Sequence, residues 1–347
     1  MKKIKFLILS LLLAINSYSQ EINLLDTLHL NEVVIYSALP YQANNTMPVT
    51  FKNLNKTELD LKNYGQEPSR ILNYTPSIST YSESGGDFGY SYIRLRGVDQ
   101  TRINITLNGV SLNEPEDQGC YFSNYPDFFQ SIEMLQIQRG SGMTKNGTSS
   151  FVGSMNLESY NPKMSKIGAV FNVGSFGSSK TSLNTEQVWK NGGVYLSASD
   201  IKSDGYKHHS GNISRSAFLT LNHKYKNNQF KIVGFTGEQE NQLAWLGVSE
   251  SNLNKDRRYN SNTEKEIDHF NQSHIQFHHT YNINRHSKIN YTLSYTYLRG
   301  WFTFDTINYT NLMSDDTLTD MLMCKYNFKS NWINFSTTYS FNIDKLD

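Results

Sequence analysis

The stretch S-Y-I-R-L-R-G-V-D-Q-T-R-I-N-I-T-L-N-G-V-S-L (Ser91 to Leu112) decides the fold of the amino-terminal half. Ile93 and Leu95 alternate with Arg94 and Arg96 until Gly97 interrupts. Ile103, Ile105 and Leu107 then alternate with Asn104 and Thr106 up to Asn108-Gly109. Period-two alternation closed by glycine or Asn-Gly predicts two short strands ending in tight turns. A second piece, S-I-E-M-L-Q-I-Q-R-G-S-G-M-T-K-N-G-T-S-S-F-V-G-S-M-N-L-E-S (Ser131 to Ser159), follows the same plan. In it Ile132, Leu135 and Ile137 lead to Arg139-Gly140, and a glycine-spaced loop leads on to Met155 and Leu157. Taken alone, the two pieces describe a small α+β domain.

Three segments in this order, Ile93 to Gly97, Ile103 to Gly109 and Ser131 to Asn156, resemble the plug domain of TonB-dependent outer-membrane receptors. The motif positions are Arg94, Arg96, Gly97, Asn108, Gly109, Arg139, Gly140, Gly147 and Gly153. The resemblance implies that Arg94, Arg96 and Arg139 hold the plug together or tie it to a barrel wall. Upstream, Ile71 to Ile78 resembles the family's L-x-x-x-P-G-[IV] stretch, with Ser77 where glycine is usual. The implied fold is a transmembrane β-barrel, incomplete here with about nine antiparallel strands, behind an amino-terminal α+β plug domain.

Composition leaves the class open. The 347 residues carry 32 Lys plus Arg against 31 Asp plus Glu, a net charge of +1 with no basic footprint for nucleic acid. Aromatic content is 13%, yet mean hydropathy is −0.54. A barrel whose strands face lipid with alternate residues has this texture, and so does a soluble carbohydrate-binding β protein. Residues 1–19 read as a secretory signal: Lys2, Lys3 and Lys5, an apolar run from Phe6 to Ile15, and Ser17-Tyr18-Ser19 before Gln20. That run is too short to span a bilayer as a helix, so any membrane span must be a barrel. Cys120 and Cys324 fall in different predicted domains, which argues against a structural disulfide.

Residues 20–45 read as a periplasmic segment, 46–160 as the plug and 161–347 as the first part of the barrel. Val33, Val34 and Ile35 favour an extended chain that can be donated as an edge strand. Glu32-Val33-Val34-Ile35-Tyr36 resembles the TonB box, the family's contact with the TonB-ExbB-ExbD energy-coupling complex; an ordinary first plug strand is the other reading. Thr57 to Arg70 reads as a short helix-rich segment that Thr57 can cap, with Leu59 and Leu61 as apolar contacts.

From about Lys166 amphipathic strands repeat, clearest in Ile289, Tyr291, Leu293, Tyr295 and Tyr297. Nine are expected near 167–175, 180–190, 193–201, 215–225, 229–238, 270–283, 287–299, 321–328 and 332–342. The even-numbered connections are tight, at Asn191-Gly192, Lys226 to Asn228, Asn284 to His286 and Lys329 to Asn331. Apart from a short first one, the odd-numbered connections are long. Segregation of loop length by parity is an outer-membrane barrel signature, with long loops outside the cell. A plugged transporter has about 22 strands, so the chain reads as the amino-terminal part of a longer receptor.

No catalytic constellation emerges, and no cofactor or metal site is expected. His208 and His209 sit in a loop, while His278 and His279 must point to opposite faces of one strand. Glu114, Glu116 and Asp117 cluster on a plug loop that reads as solvated. The loop from Gly237 to His269 resembles one in Bacteroidetes-type receptors. Its Gln242, Trp245, Arg257, Arg258 and Tyr259 are candidate ligand contacts, unless the loop simply folds over its own Trp. The expected function is energy-coupled import of a bulky small molecule, such as an iron-siderophore, haem or cobalamin, across the outer membrane. A passive porin-like channel and a soluble secreted β-rich binding protein are the rival readings.

Overall fold

The computed structural model describes residues 49–140, 150–314, 318 and 320–341. The signal-like start, the Glu32–Tyr36 segment and Gly147 lie outside the described residues.

Eight strands come first: β1 (Thr50–Asn55), β2 (Ile78–Ser82), β3 (Ser91–Leu95), β4 (Val98–Asp99), β5 (Ile103–Leu107), β6 (Val110–Ser111), β7 (Ile132–Arg139) and β8 (Gly153–Ser159). They build a five-stranded sheet in the order β1-β7-β8-β5-β6 and a three-stranded sheet, β2-β3-β4. Both quoted glycine pairs are hairpin turns. Arg96 and Gly97 have φ of 52° and 80° and join β3 to β4, while Asn108 and Gly109 have 49° and 85° and join β5 to β6. Two central residues with positive φ match the right-handed twist of the flanking strands, which is why Gly stands second in each. Ile93, Leu95, Ile105, Leu135, Ile137 and Leu157 are essentially sealed from solvent and form the core between the sheets.

Two local expectations change. Asn104 and Thr106 are as buried as the apolar residues they alternate with. The second face of the five-stranded sheet is a buried polar network, with Thr106 donating to Asn156 (3.0 Å) and Gln136 to Asn53 (2.9 Å). The helix-rich stretch from Thr57 to Arg70 takes the form of two one-turn helices, and Thr57 caps neither. The helix Lys56–Asp60 is capped by Asn55, whose side chain accepts from Glu58 N (3.0 Å) while Glu58 accepts from Asn55 N (3.1 Å). An Asn three residues before a Glu satisfies two orphan amides at once, an option Thr57 inside the first turn lacks. The second helix, Pro68–Leu72, begins on proline, which needs no partner there.

The remaining strands are β9 (Lys166–Val173), β10 (Ser179–Trp189), β11 (Gly192–Ser203), β12 (Asn212–Tyr225), β13 (Asn228–Gln242), β14 (Ile267–Asn282), β15 (Ser287–Asp305) and β16 (Met323–Phe341). Each pairs antiparallel with its sequence neighbour in one eight-stranded sheet, and among the described residues β9 and β16 are its edges. Eight strands replace the expected nine. Lys329-Ser330-Asn331 is no turn: the three residues stand opposite Arg299, Leu298 and Tyr297 in an unbroken ladder. β15 is 19 residues long and offers pairing along its whole length, so the polar triplet is held extended. Alternation of connections survives the merger. Residues 190–191, 226–227 and 283–286 are short links, whereas 204–211, 243–266 and 306–322 are longer. The first link, 174–178, is short as expected.

The two faces of this sheet differ sharply. One is buried and polar, carrying Lys180, Ser182, Thr220, Lys231, Gln239, Gln272 and Gln276. Along the other run rows such as Leu221, Ile232, Phe277, Leu293 and Phe335, joined residue to residue by the strand register. No described helix is long and apolar enough to cross a membrane. Cys120 is buried in the first domain, Cys324 lies on β16, and both are free thiols.

Candidate functional site between the small domain and the large sheet

The polar face of the large sheet receives the segment 122–131, the second half of the connection from β6 to β7. Asp127 opens a short turn there with a left-handed φ of 56°. Its carboxylate meets Lys180 Nζ of β10 at 2.5 Å, and the two side chains are 1% and 0% exposed. Ser199 Oγ donates to the same carboxylate at 2.6 Å and Asn63 Nδ2 at 3.2 Å. A buried charge needs a partner and further hydrogen bonds, and Asp127 has both. Tyr125 and Phe128 pack edge-on against Phe235, with ring centres 4.8 and 5.2 Å away. Gly237 lets the backbones touch, because a Cβ there would lie 2.1 Å from Asn124 O.

The Asn108-Gly109 turn makes a second contact. Asn108 Nδ2 donates to Gln276 Oε1 (3.2 Å), Gln276 Nε2 donates to Leu107 O (3.0 Å), and Lys231 Nζ reaches Asn108 Oδ1 (3.5 Å). Between these anchors, Gln239 Nε2 donates to Asn124 Oδ1 (3.0 Å) and to Tyr90 OH (3.1 Å). Ser131 meets Ser197 at 2.9 Å, and Tyr160 OH donates to Glu186 at 3.1 Å. The seam between the two bodies therefore combines discrete hydrogen bonds with the aromatic contact of Tyr125 and Phe128 on Phe218 and Phe235.

Burial raises three carboxyls of the small domain above the usual carboxylate range. Glu67 and Glu114 are pushed up to about 8, each mainly by loss of water, and Asp117 and Glu116 add to the effect at Glu114. Glu83 rises to about 7 for the same reason, although the Tyr92 hydroxyl donating to it (2.6 Å) pulls the other way. The acidic loop is thus not solvated throughout: Glu114 is buried, and Asp117 accepts from Gly119 N at 2.7 Å. Among the described residues no group of His, Cys, Asp and Glu could hold a metal ion.

Above the seam, the longer connections are tied together. Asn260 donates to His208 O and to Leu243 O, both at 3.0 Å, so one amide joins connections 204–211 and 243–266. Arg258 Nε donates to Tyr206 O (2.6 Å), and its guanidinium lies 5.5 Å from the Phe176 ring centre. Gln242 accepts from Gly211 N at 3.1 Å. Trp245 stays 40% exposed while packing on Phe304 (5.4 Å) and Tyr309 (6.4 Å). Arg257 and Tyr259 are exposed. A cleft of about 580 Å³ opens below these links, lined by Tyr64, Arg70, Asp87, Phe176 and Tyr206 among others.

The predicted arginines are placed inside the small domain. Arg94 stacks over Tyr81 at 5.6 Å, Arg96 N donates to Ser77 O (2.8 Å), and Arg139 pairs with Thr50 and Gly153 across β7. Gly140 follows β7 with φ of 113°. The anchors to the sheet, Asp127, Asn124, Lys180, Gln239 and Gln276, were not foreseen. For the strand residues the available signal was their position on the polar face of an amphipathic strand.

Family comparison agrees with this geometry. Residues 43–154 match the TonB-dependent receptor plug domain. The chain carries the plug domain of a TonB-dependent receptor. Its plug is the small domain, and the eight-stranded sheet is the wall. No curated protein matches the chain. Among solved structures, the ferric-catecholate import receptor Fiu from E. coli K12 in its open form is 16% identical, with a TM-score of 0.67 over 89% of this chain and 50% of that one. The ferric citrate transporter FecA in the unliganded form gives 13% identity and a TM-score of 0.58 over 84% and 49%. The ferric yersiniabactin uptake receptor FyuA from Yersinia pestis gives 15% and 0.56 over 74% and 42%. These likenesses show the fold, and the chain spans half or less of each of those proteins.

Proposed function

We propose that the protein serves energy-coupled import of a bulky metal chelate, of the iron-siderophore class, across the outer membrane. The observation that carries this reading is the seam. The plug is held by a buried ion pair, single hydrogen bonds and one aromatic contact to wall residues, and the polar contacts hold firmly yet exchange for water when the plug shifts. The names of the similar structures, receptors for ferric catecholate, ferric citrate and ferric yersiniabactin, favour a metal chelate over haem or cobalamin.

In this reading the stapled connections 204–211 and 243–266 present Trp245, Arg257 and Tyr259 to the ligand outside the cell. Gln242 and Arg258 act as struts, since their side chains already bond to connection 204–211. Binding alters the segment Glu32 to Tyr36, TonB pairs with it as an added strand, and ExbB and ExbD supply the pull. Residues 1–19 direct export, residues 46–160 form the plug, and the apolar wall rows from 161 onward face lipid.

The test is uptake of a labelled ferric chelate by cells expressing the gene as their sole receptor of this kind, with and without residues 30–38. Uptake that vanishes on the deletion supports coupling. Uptake unchanged by the deletion means a passive channel, and protein recovered from the medium means a secreted binder.

A further inference from the structure

On the side of the longer connections, a plug carboxyl and a wall carboxyl meet around two tyrosines. The plug contributes the turn 83–90, which joins β2 to β3 and is closed by Glu83 N donating to Tyr90 O (3.0 Å). The wall contributes Asp268, one residue inside the start of β14 and 1% exposed. Tyr90 bridges them: its hydroxyl accepts from Gln239 Nε2 (3.1 Å) and donates to the Asp268 carboxylate. Asp268 Oδ1 also accepts from Asn241 N (3.1 Å) and from Asn241 Nδ2 (2.9 Å). Among the described residues Glu83 is served by one donor, Tyr92 OH at 2.6 Å, and it stands within electrostatic reach of Asp268.

Two carboxyls this close and short of water resist carrying a charge each. With three donors around it, Asp268 takes the charge, and Glu83 keeps the proton. The other groups facing the pair leave that division in place. Lys207, on connection 204–211, draws charge onto Glu83, but its Nζ is turned to Ala244 O at 2.8 Å. His269 follows Asp268 on the strand and bonds instead to Glu238 at 2.9 Å. Burial pushes the hydroxyls of Tyr90 and Tyr92 well above the usual tyrosine range, so both stay protonated and act as donors. The turn is also a tie between plug and outer connections, because Lys207 N donates to Ser84 O at 3.3 Å. A small cavity lined by Glu83, Ser84, Tyr90, Asn241 and Gln242 among others lies at this junction.

We propose that Glu83 and Asp268 are a proton-gated latch: one proton held by the pair keeps the turn 83–90 on the wall, and its loss lets the turn lift. The proton passes from the Glu83 carboxyl to water, and no other covalent bond changes. Lifting breaks both bonds of Tyr90 to the wall and frees connection 204–211 from Ser84. The sign follows from where Glu83 ionises, near 7 in the closed seam and near 4.5 once the turn is in water. The closed form holds the proton more tightly, so closure weakens as pH rises from about 4.5 to about 7 and is level beyond. The inference needs only the plug seated on its wall; the nutrient carried and the energy coupling do not enter.

Amide hydrogen exchange of the purified full chain in detergent tests it, followed from about pH 5 to pH 8 and corrected for the intrinsic rise of exchange with pH. The amide of Lys207 is the reporter, since its bond to Ser84 O exists only while the turn is seated. Its opening constant should climb about tenfold or more between pH 5 and 7 and then level. Glu83→Gln has no such proton to lose and should abolish the climb. Asp268→Asn removes the like charge and should move the climb to lower pH. Glu67→Gln should leave the climb in place, which separates lifting of the turn from loosening of the whole plug. A flat wild type, a climb that survives Glu83→Gln or ignores Asp268→Asn, or one abolished by Glu67→Gln overturns the proposal. Failure of ferric chelate uptake would sink the functional reading instead, and the exchange measurement would still report on the latch.

Discussion

Lys180 Nζ on the wall and Asp127 Oδ1 on the plug stand 2.5 Å apart with both side chains shut away from solvent. Removing one partner strands the other as a buried charge, a loss of about 3–5 kcal/mol. Lys180→Met and Asp127→Asn should each lower the denaturant midpoint of the folded chain in detergent. Joint replacement by Met and Leu should recover most of the loss. Single variants as stable as wild type would show that the pair does not hold plug to wall.

Plug stability should fall as pH rises. Glu67 is pushed from its usual range to about 8 by burial alone, and its Oε2 has no hydrogen-bond partner among the described residues. The folded state therefore holds a proton that the unfolded chain releases near 4.5, so stability is lost as pH rises from about 4.5 towards 8 and is level beyond. Glu83 adds to the same slope up to about 7. Glu67→Gln should be more stable than wild type at pH 8, by on the order of a few kcal/mol, and nearly equal to it at pH 4.5. Thermal unfolding at the two pH values reads the difference, and an unchanged slope in the variant would refute the assignment.

Ser77 occupies the position where the resembled motif has glycine, and it does so with a φ of 71°. A left-handed conformation burdens an L-residue by roughly 1 kcal/mol. Ser77→Gly should therefore raise the melting temperature, while Ser77→Val should lower it. Equal melting of all three proteins would mean that the turn relaxes without strain.

Gly237 lies under the plug backbone, with room for no side chain next to Asn124 O. Gly237→Ala should push the 122–126 segment off the wall and cost about 1–3 kcal/mol, as overpacking does. Limited proteolysis of the folded protein should then cut the plug faster. Gly234→Ala, whose Cβ has only His274 O nearby at 3.7 Å, is the control and should behave as wild type.

Some of this architecture was legible locally. The Asn108-Gly109 and Arg96-Gly97 turns could be read because positive φ at adjacent residues restricts which side chains stand there. Strand alternation on β15 and parity of connection lengths were equally plain. Local reading failed where a distant partner decided. Lys329-Ser330-Asn331 looks like a turn until β15 supplies a ladder opposite it. Thr57 looked like a cap until the chain entered the helix two residues earlier, at Asn55.

By itself, then, the sequence determined a plug-like small domain and a wall of amphipathic strands, because turn chemistry and side-chain period act within a few residues. Only the tertiary structure decided that Asp127 belongs to Lys180, Asn108 to Gln276, and that Arg299 stands opposite Lys329. Each of those pairs depends on register or docking across many residues of chain. A strand shifted by a single residue would turn Lys180, Gln276, Arg299 and Lys329 to the opposite face.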